Sequence, residues 1–294
     1  MADVHDRESG VAIVLVLWMI ALLTVLAVSF ARDASVQAKI VRNQYDVARA
    51  RALADTGVSL AILGILDAAP DDKARLDGSP RDLTYGDGEI VLGLQNEAGK
   101  IDLNHASGEV LGNLFRTVGL DAAQAVALVD AVADWKRRRR AVWDSTVNRG
   151  RIEPAVTAVG PFLALEEFRA VQGITPEIYA RVSPFLTVFS GTERIDALAA
   201  PRQVLLSLPG VDPGEVDAYV SARAKFGPDP SLLPALTGVD AYLGPDTVSF
   251  VSISSEGRIP PSVRFIRNAT ISLIVNAGER YRFVSWRQGQ NSGK

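Results

Sequence analysis

The sequence contains no cysteine and only two histidines among its 294 residues. Without cysteine the chain can form no disulfide bond, thiolate metal site or cysteine nucleophile. The absence of cysteine does not identify the cellular compartment. His5 precedes a long apolar run, and only His105 lies in the body of the chain, with no serine–acid pair or metal-ligand cluster to accompany it. We therefore expect no enzyme and no cofactor, and a surface or capping role for His105.

The chain also lacks a large net charge of either sign. The 31 basic and 34 acidic residues give a formal net charge of −3, and no glycine-rich phosphate loop is present. This balance provides no general attraction to nucleic acid or to an anionic surface. The hydrophobic share of 48% and the charged share of 22% are ordinary for a globular protein, so most of the chain should fold.

What the sequence does have is an uncharged apolar run at residues 11–31. As a helix this run is about 31 Å long, enough to cross a bilayer core. No proline follows until Pro70, and the intervening residues are rich in Ala, Leu and Arg. The pattern predicts one helix of about 85 Å, half of it in lipid. An ordinary signal anchor is the alternative, and the basic residues Arg32, Lys39 and Arg42 after the span oppose a cytoplasmic N-terminus.

The residues around the run point to a particular family. Ser9-Gly10 stands directly before VAIVLVLWMIALLTVLA, and RARALADTGVSLAI follows at 49–62. This arrangement resembles the K-type minor pseudopilins of type II secretion systems. Most pilins carry a glutamate at the fifth residue after the leader glycine, but Leu15 occupies that position here, as is typical of the K type. An isolated carboxylate in hydrocarbon is costly unless paired, so its absence implies the first place in a fibre, at the tip.

The resemblance implies a defined maturation and location. Prepilin peptidase would cleave between Gly10 and Val11, and Val11 would become the N-methylated first residue. The chain would be a single-pass protein of the inner membrane of a Gram-negative bacterium, with a periplasmic C-terminal domain and no catalytic activity. Implied partners are the lipid bilayer, the I- and J-type minor pseudopilins and the inner-membrane assembly platform. Further candidate partners are the H-type and major G-type pseudopilins, the secretin and an exported substrate. Nucleic acid is not expected as a partner.

The rest of the chain predicts strands on either side of a helical block. A loop at 70–82 precedes a hairpin around Gly86-Asp87-Gly88, and polar–apolar alternation predicts strands at 247–257, 268–278 and 279–288. The expected fold is α+β, with the N-terminal helix packed on an antiparallel sheet and a large all-α domain inserted. The expected regions are a leader (1–10), membrane helix (11–31), periplasmic helix (32–69), hairpin (70–99), helical insert (100–242) and C-terminal strands (243–294).

The helical block contains an internal repeat. Residues 100–111 match residues 194–205 in a constant register, and each copy reaches a glycine turn and a new helix, at Gly119 and at Gly210. A third such turn begins at Gly173. These units resemble helix-hairpin-helix motifs of the SAM-like type, which K-type pseudopilins carry as an insertion.

Helix-hairpin-helix motifs raise an alternative function, that of a membrane-anchored DNA-binding or DNA-uptake protein. In the DNA-binding versions two glycines let backbone N–H groups approach a phosphate. In this chain the second glycine is replaced three times, by Asp121, Thr175 and Asp212. The substitutions favour hairpins with a structural role.

Five consecutive cations, Lys136–Arg140, form the densest charge run. We expect a solvated loop, with contact to an anionic partner as the functional alternative. The corresponding family segment is acidic and helps to hold calcium in some members, and calcium prefers several carboxylate ligands. With only Asp134, Asp144 and Glu153 nearby, we do not expect the calcium site in this chain.

Structural roles are expected for five further residues. Asn104 and Ser107 should order a turn that starts a helix, and Trp135, Trp143 and Trp286 should be packing residues.

Overall fold

The computed structural model describes residues 5–67, 75–86, 88–147, 162–245, 248–275 and 278–289. The chain begins with helix α1 (His5–Asp67), whose 63 residues span about 95 Å. The prediction of one long N-terminal helix is confirmed, and the helix also includes the leader from His5 onward. Among the described residues one helix, α1, has the length and apolar character to cross a membrane, and none of its most apolar stretch is buried.

A five-stranded antiparallel sheet follows, which confirms the α+β fold class. Its strands are β1 (Asp77–Tyr85), β2 (Gly88–Asn96), β5 (Phe250–Ile259), β6 (Val263–Ser272) and β7 (Arg282–Gln288), in the order β1-β2-β5-β6-β7. The pair β2–β5 therefore joins strands from before and after the helical block. Two short strands, β3 (Ile101–Asp102) and β4 (Leu186–Thr187), form a separate parallel pair within that block.

The C-terminal part of α1 packs on one face of this sheet. Ala50 and Ala54 on the helix are fully buried. Further along α1, Val58 and Ile62 belong to one hydrophobic cluster with Val251 of β5. The approach is close because β5 carries Gly257, where an added Cβ would lie 2.1 Å from the carbonyl oxygen of Ala50. Small residues thus let the helix backbone rest on the central strand.

Several strand boundaries differ from the prediction. The predicted loop at 70–82 is wrong for residues 77–82, which belong to β1, an exposed edge strand that tolerates Pro80. The predicted end of a strand at Gly257 is also wrong, because β5 continues beneath α1 to Ile259. The chain reverses instead at the cis Pro260-Pro261 bond, and β6 begins at Val263 rather than at Asn268.

The helical insert has a hydrophobic core of its own. Its helices are α2 (Gly108–Thr117), α3 (Ala122–Val147), α4 (Pro176–Val182), α5 (Arg202–Leu206) and α6 (Pro213–Phe226). Fully buried side chains at its centre include Leu114, Phe115, Phe162 and Phe168. The prediction of a loop at Lys136–Arg140 is wrong, because α3 continues through this run to Val147. Lysine and arginine are good helix formers, and no glycine or proline interrupts the segment.

Polar contacts fasten the insert to the sheet. The side-chain amide of Gln95, on β2, donates to the carbonyl oxygen of Ala199 at 2.9 Å. The buried Arg223 of α6 donates to the carbonyl oxygen of Ala197 at 2.6 Å and lies 3.5 Å from the carboxylate of Asp77 on β1. The insert is thus bound to the end of the sheet at β1 and β2.

Candidate assembly surfaces

The first surface is the apolar N-terminal part of α1. Leu15 is 59% exposed, and its neighbours Val14 and Val16 are exposed as well. No carboxylate is therefore present at this position of the helix. Gly10 and Val11 lie on α1, but their side-chain surroundings fall outside the described part of the chain. Their predicted cleavage and methylation stay predictions.

The second surface continues along α1 beyond the apolar span. Val36, Ile40 and Val47 are exposed and lie within about 40° of one another around the helix. Val41 and Tyr45, which are 63% and 62% exposed, lie roughly 140° to 180° away from Val36. Because α1 reaches the sheet only from Ala50 onward, this segment presents two apolar faces that no described part of the chain covers.

The three hairpins of the insert share one geometry. Gly119, Gly173 and Gly210 all have positive φ, between 80° and 89°. Two residues later, the side chains of Asp121, Thr175 and Asp212 each accept a hydrogen bond from a backbone N–H three residues further on, at 2.8, 3.3 and 3.0 Å.

These caps bear on the DNA-binding alternative. A capping side chain occupies an N–H group that would otherwise be available to a phosphate at the start of the helix. In the first and third hairpins the cap is also a carboxylate, which repels phosphate. The residues that replace the second glycine are thus helix caps, and nothing in the described hairpins favours nucleic-acid binding.

The internal repeat is preserved in three dimensions. Asp102 and Asp196 occupy the same place in the two copies and are 1% and 4% exposed. Each accepts a hydrogen bond from the backbone N–H two residues later, Asn104 at 2.7 Å and Leu198 at 2.9 Å. The repeat places these aspartates at the same position of both copies, and this constant position is the sequence signal for a role that the repeat alone does not define.

The turn after Asp102 contains the predicted polar residues. Ser107 caps α2 by accepting from the N–H of Val110 at 3.3 Å. The Asn104 side chain donates to the carbonyl oxygen of Phe162 and accepts from its N–H, both at 2.9 Å. His105 is a partly exposed residue whose Nδ1 lies 3.3 Å from Asp102. The hydrogen bond to Asp102 raises the pKa of His105 above its usual value, although Lys136 and Arg140 oppose this rise.

The basic run of α3 is divided among different environments. Arg137 pairs with Asp134. Arg139 lies over the Trp135 ring and donates to Glu167 at 2.7 Å. Lys136 and Arg140, together with Arg137, line a pocket between α2 and α3. Trp135 packs on Phe162 with ring centroids 5.8 Å apart.

The described residues offer no fit for a calcium ion. Asp134 is already paired with Arg137, while the side chains of Asp144 and Glu153 lie outside the described part of the chain. Among the described residues no group of three or more His, Cys, Asp or Glu side chains could hold a metal.

The other two tryptophans predicted to pack differ from Trp135 in their surroundings. Trp286 lies on β7, 44% exposed, against Arg267, and the side chain of Trp143 is outside the described residues.

These features define a class of protein with a membrane-length helix, an antiparallel sheet and an inserted helical domain. Residues 91–191 match the family described as type II secretion system protein K. The type II secretion system protein K of Aeromonas hydrophila is 28% identical over 126 residues, which cover 40% of this chain. The match spans 38% of that relative's length.

A solved structure extends the likeness beyond the matched segment. A chain of the GspK-GspI-GspJ complex from the enterotoxigenic Escherichia coli type 2 secretion system superposes with a TM-score of 0.54 at 14% identity. The superposition covers 85% of this chain and 99% of that chain, so the two share a fold. The resemblance to the K-type pseudopilins is confirmed.

Proposed function

We propose that this chain is a non-enzymatic minor pseudopilin of a type II secretion system, which starts and caps the tip of the periplasmic pseudopilus during protein export. The observation that carries the proposal is the surface of α1, which has exposed apolar side chains as far as Val47 and has Leu15 where a carboxylate would pair with a neighbouring subunit. The match of residues 91–191 to protein K supports it.

The physical basis is the cost of an unpaired charge in hydrocarbon. A carboxylate at position 15 would be stable only beside a cation such as the terminal ammonium of another subunit. Leu15 needs no such partner, and it also offers none. A subunit of this kind fits at the end of a fibre, where no subunit lies beyond it to complete the pair.

The two apolar faces of α1 suit two partner helices. Val36, Ile40 and Val47 form one face, and Val41 and Tyr45 form the other. Helices associate through such stripes, since burying them removes apolar surface from water. The complex of K, I and J proteins named for the solved structure supports I- and J-type pseudopilins as the two partners here.

Maturation and location complete the proposal. Prepilin peptidase would cleave between Gly10 and Val11, the new N-terminus would be methylated, and α1 would hold the chain in the inner membrane with its C-terminal domain in the periplasm. Further proposed partners are the assembly platform, the H-type and G-type pseudopilins, and the secretin or an exported substrate. No cofactor is proposed, including calcium, since Asp134 is engaged by Arg137.

Processing is tested by mass spectrometry of the N-terminus. The full chain should lose residues 1–10 when co-expressed with prepilin peptidase, and Gly10→Leu should stay uncut because its larger side chain obstructs the cleavage site. Retention of Met1 by the unaltered chain in a peptidase-positive host would contradict the proposal, whereas cleavage after residue 31 would identify a signal peptide.

The tip position is tested in the same host by immunogold labelling of sheared fibres. Leu15→Glu should move part of the labelling from the ends into the shaft, because it restores the pairing group. Leu17→Glu places the same charge on the same exposed helix at another position and should only reduce the amount of protein in fibres. Labelling of the unaltered chain along the whole shaft would refute capping.

A further inference from the structure

A groove runs between helices α2 and α3 of the insert. It comprises two adjoining pockets of about 480 and 320 Å³, which share Gly108 and Val129 as lining residues. Pockets of this size accommodate a few side chains of a ligand. Gly108 has no Cβ, which would lie 3.0 Å from a methyl group of Val129, so the glycine permits the helices to approach closely beside the groove.

The larger pocket has an apolar interior and a cationic end. Leu111, Val132 and Ala133 provide the apolar lining, and Lys136, Arg137 and Arg140 stand at the end formed by α3. The three cations recur at spacings of one, three and four residues, so the helix brings Lys136 and Arg140 to one face. The remaining cations, Arg138 and Arg139, are not among the lining residues.

Two of the lining cations have no ion-pair partner among the described residues, although the negative charge of the buried Asp102 is near enough to attract Lys136. Arg137 pairs with Asp134, but neither Lys136 nor Arg140 forms an ion pair with any residue in the described ranges. Lys136 is also partly withdrawn from water, and this burial lowers its pKa. An ammonium group in such a place is stabilised when an anion binds beside it.

We propose that this groove binds an acidic peptide segment of a partner protein, with an apolar side chain between α2 and α3 and a neighbouring carboxylate on Lys136 and Arg140. The apolar interior would select the side chain, and the two cations would fix the position of the peptide along the groove. A peptide fits better than a membrane surface or a nucleic acid, because the cations lie at the end of a concave apolar groove and not across a wide face. This inference does not rest on the proposed place in the fibre.

The test is fluorescence anisotropy with the full chain in phosphatidylcholine nanodiscs. The probe is a labelled twelve-residue peptide of alternating leucine and glutamate. Two matched probes replace glutamate by glutamine or leucine by serine. The Leu-Glu peptide should bind at least about tenfold more tightly than either matched probe, since each lacks one of the two contacts.

Variants of the groove separate this site from general charge attraction. Lys136→Gln and Arg140→Gln should each weaken binding of the Leu-Glu peptide by about tenfold. Arg138→Gln removes the same charge from the same run outside the groove and should change binding by less than about threefold. Ala133→Phe should weaken binding by filling the apolar pocket while it leaves every charge in place.

Several results would overturn the proposal. Absence of binding by all three peptides would do so, as would an equal loss from Arg138→Gln and Arg140→Gln, which would indicate general attraction to the basic run. Equal affinity for the Leu-Glu and Ser-Glu peptides would also refute the apolar contact. Displacement of the bound peptide by phosphatidylglycerol vesicles as strongly as by unlabelled peptide would identify anionic lipid as the ligand.

Discussion

The two copies of the repeat in the insert have one backbone design and two different surroundings. Each copy begins with a parallel β contact, between Ile101 and Leu186 in the first and between Ile195 and Leu243 in the second. In both, the aspartate that follows turns the chain into a helix. The shared features are those that shape the local backbone.

The two aspartates differ in their second carboxylate oxygen. In the first copy Asp102 accepts from the N–H of Gly191 at 2.8 Å and from the Ser190 hydroxyl at 3.1 Å, within the insert. In the second copy Asp196 accepts from the side-chain amide of Asn96 on β2 at 3.0 Å. The same turn therefore organises the insert in one copy and joins the insert to the sheet in the other.

The helices that follow differ as well. In the first copy α2 has ten residues and a capping Ser107. In the second α5 has five residues, and Pro201 at the corresponding position provides no side-chain cap. The longer helix of the first copy forms one wall of the groove beside α3. The two copies thus differ in role: the first can carry a binding surface and the second attaches the insert to the sheet.

The largest expected effect comes from removing either aspartate. Asp102→Ala and Asp196→Ala should each reduce the free energy of unfolding by about 3 kcal/mol, because each leaves buried donors without an acceptor. Urea unfolding measures the loss. Hydrogen exchange should separate the copies, with faster exchange near β3 and β4 for Asp102→Ala and at the end of β2 for Asp196→Ala.

The aspartate comparison has a direct control. Asp196→Asn keeps an oxygen for the Leu198 N–H and should lose less stability than the alanine variant. Equal, small losses from both alanine variants would show that the turn shared by the two copies does not depend on its carboxylate. Faster exchange at the end of β2 in both variants would show that the copies are not specialised as described.

A smaller effect is expected at the helix caps. Ser107→Ala should cost about 1 kcal/mol of unfolding free energy, since the N–H of Val110 loses its partner. Pro201→Ala, at the corresponding position of the second copy, removes no cap bond and should cost less. Thermal unfolding of the two variants side by side measures the difference, and a larger loss from Pro201→Ala would contradict it.

The smallest effect concerns His105, whose counterpart in the second copy is Ala199. Since its folded-state pKa is raised, the stabilisation by His105 is complete below the unfolded value of 6.5 and disappears as pH rises through the folded value. His105→Ala should therefore cost about 0.5 kcal/mol near pH 5.5 and almost nothing near pH 8.5, because the group is partly exposed. Urea unfolding at both pH values tests this. An equal loss of unfolding free energy at both pH values would show that the charge of His105 does not account for its stabilising effect.

Most of the architecture was predictable because it rests on periodic features of the sequence. The apolar run and the absence of proline up to Pro70 specify α1, and polar–apolar alternation indicates the C-terminal strands. The errors have a common cause. Composition at 77–82 and at Gly257 is typical of turns, but an edge strand tolerates Pro80, and Gly257 is required inside β5 by the approach of α1.

The candidate surfaces were predictable only in part. Leu15 and the three hairpin residues can be identified by counting along the chain. The different environments of the cations in Lys136–Arg140 cannot be identified in this way, because a run of five cations looks uniform in sequence. Its helical continuation places Arg139 on Trp135 and Glu167, and it leaves Lys136 and Arg140 beside the groove.

The sequence by itself determined the properties that depend on neighbours along the chain. These are the membrane-length helix, the missing carboxylate at position 15, the capped hairpins and the presence of two repeat copies. Only the tertiary structure decided which buried groups the two aspartates engage, where the sheet accepts α1, and that α2 and α3 leave a groove with Lys136 and Arg140 at its end. Such contacts join residues far apart in the chain, as Asn96 and Asp196 show, and local propensity contains no information about them.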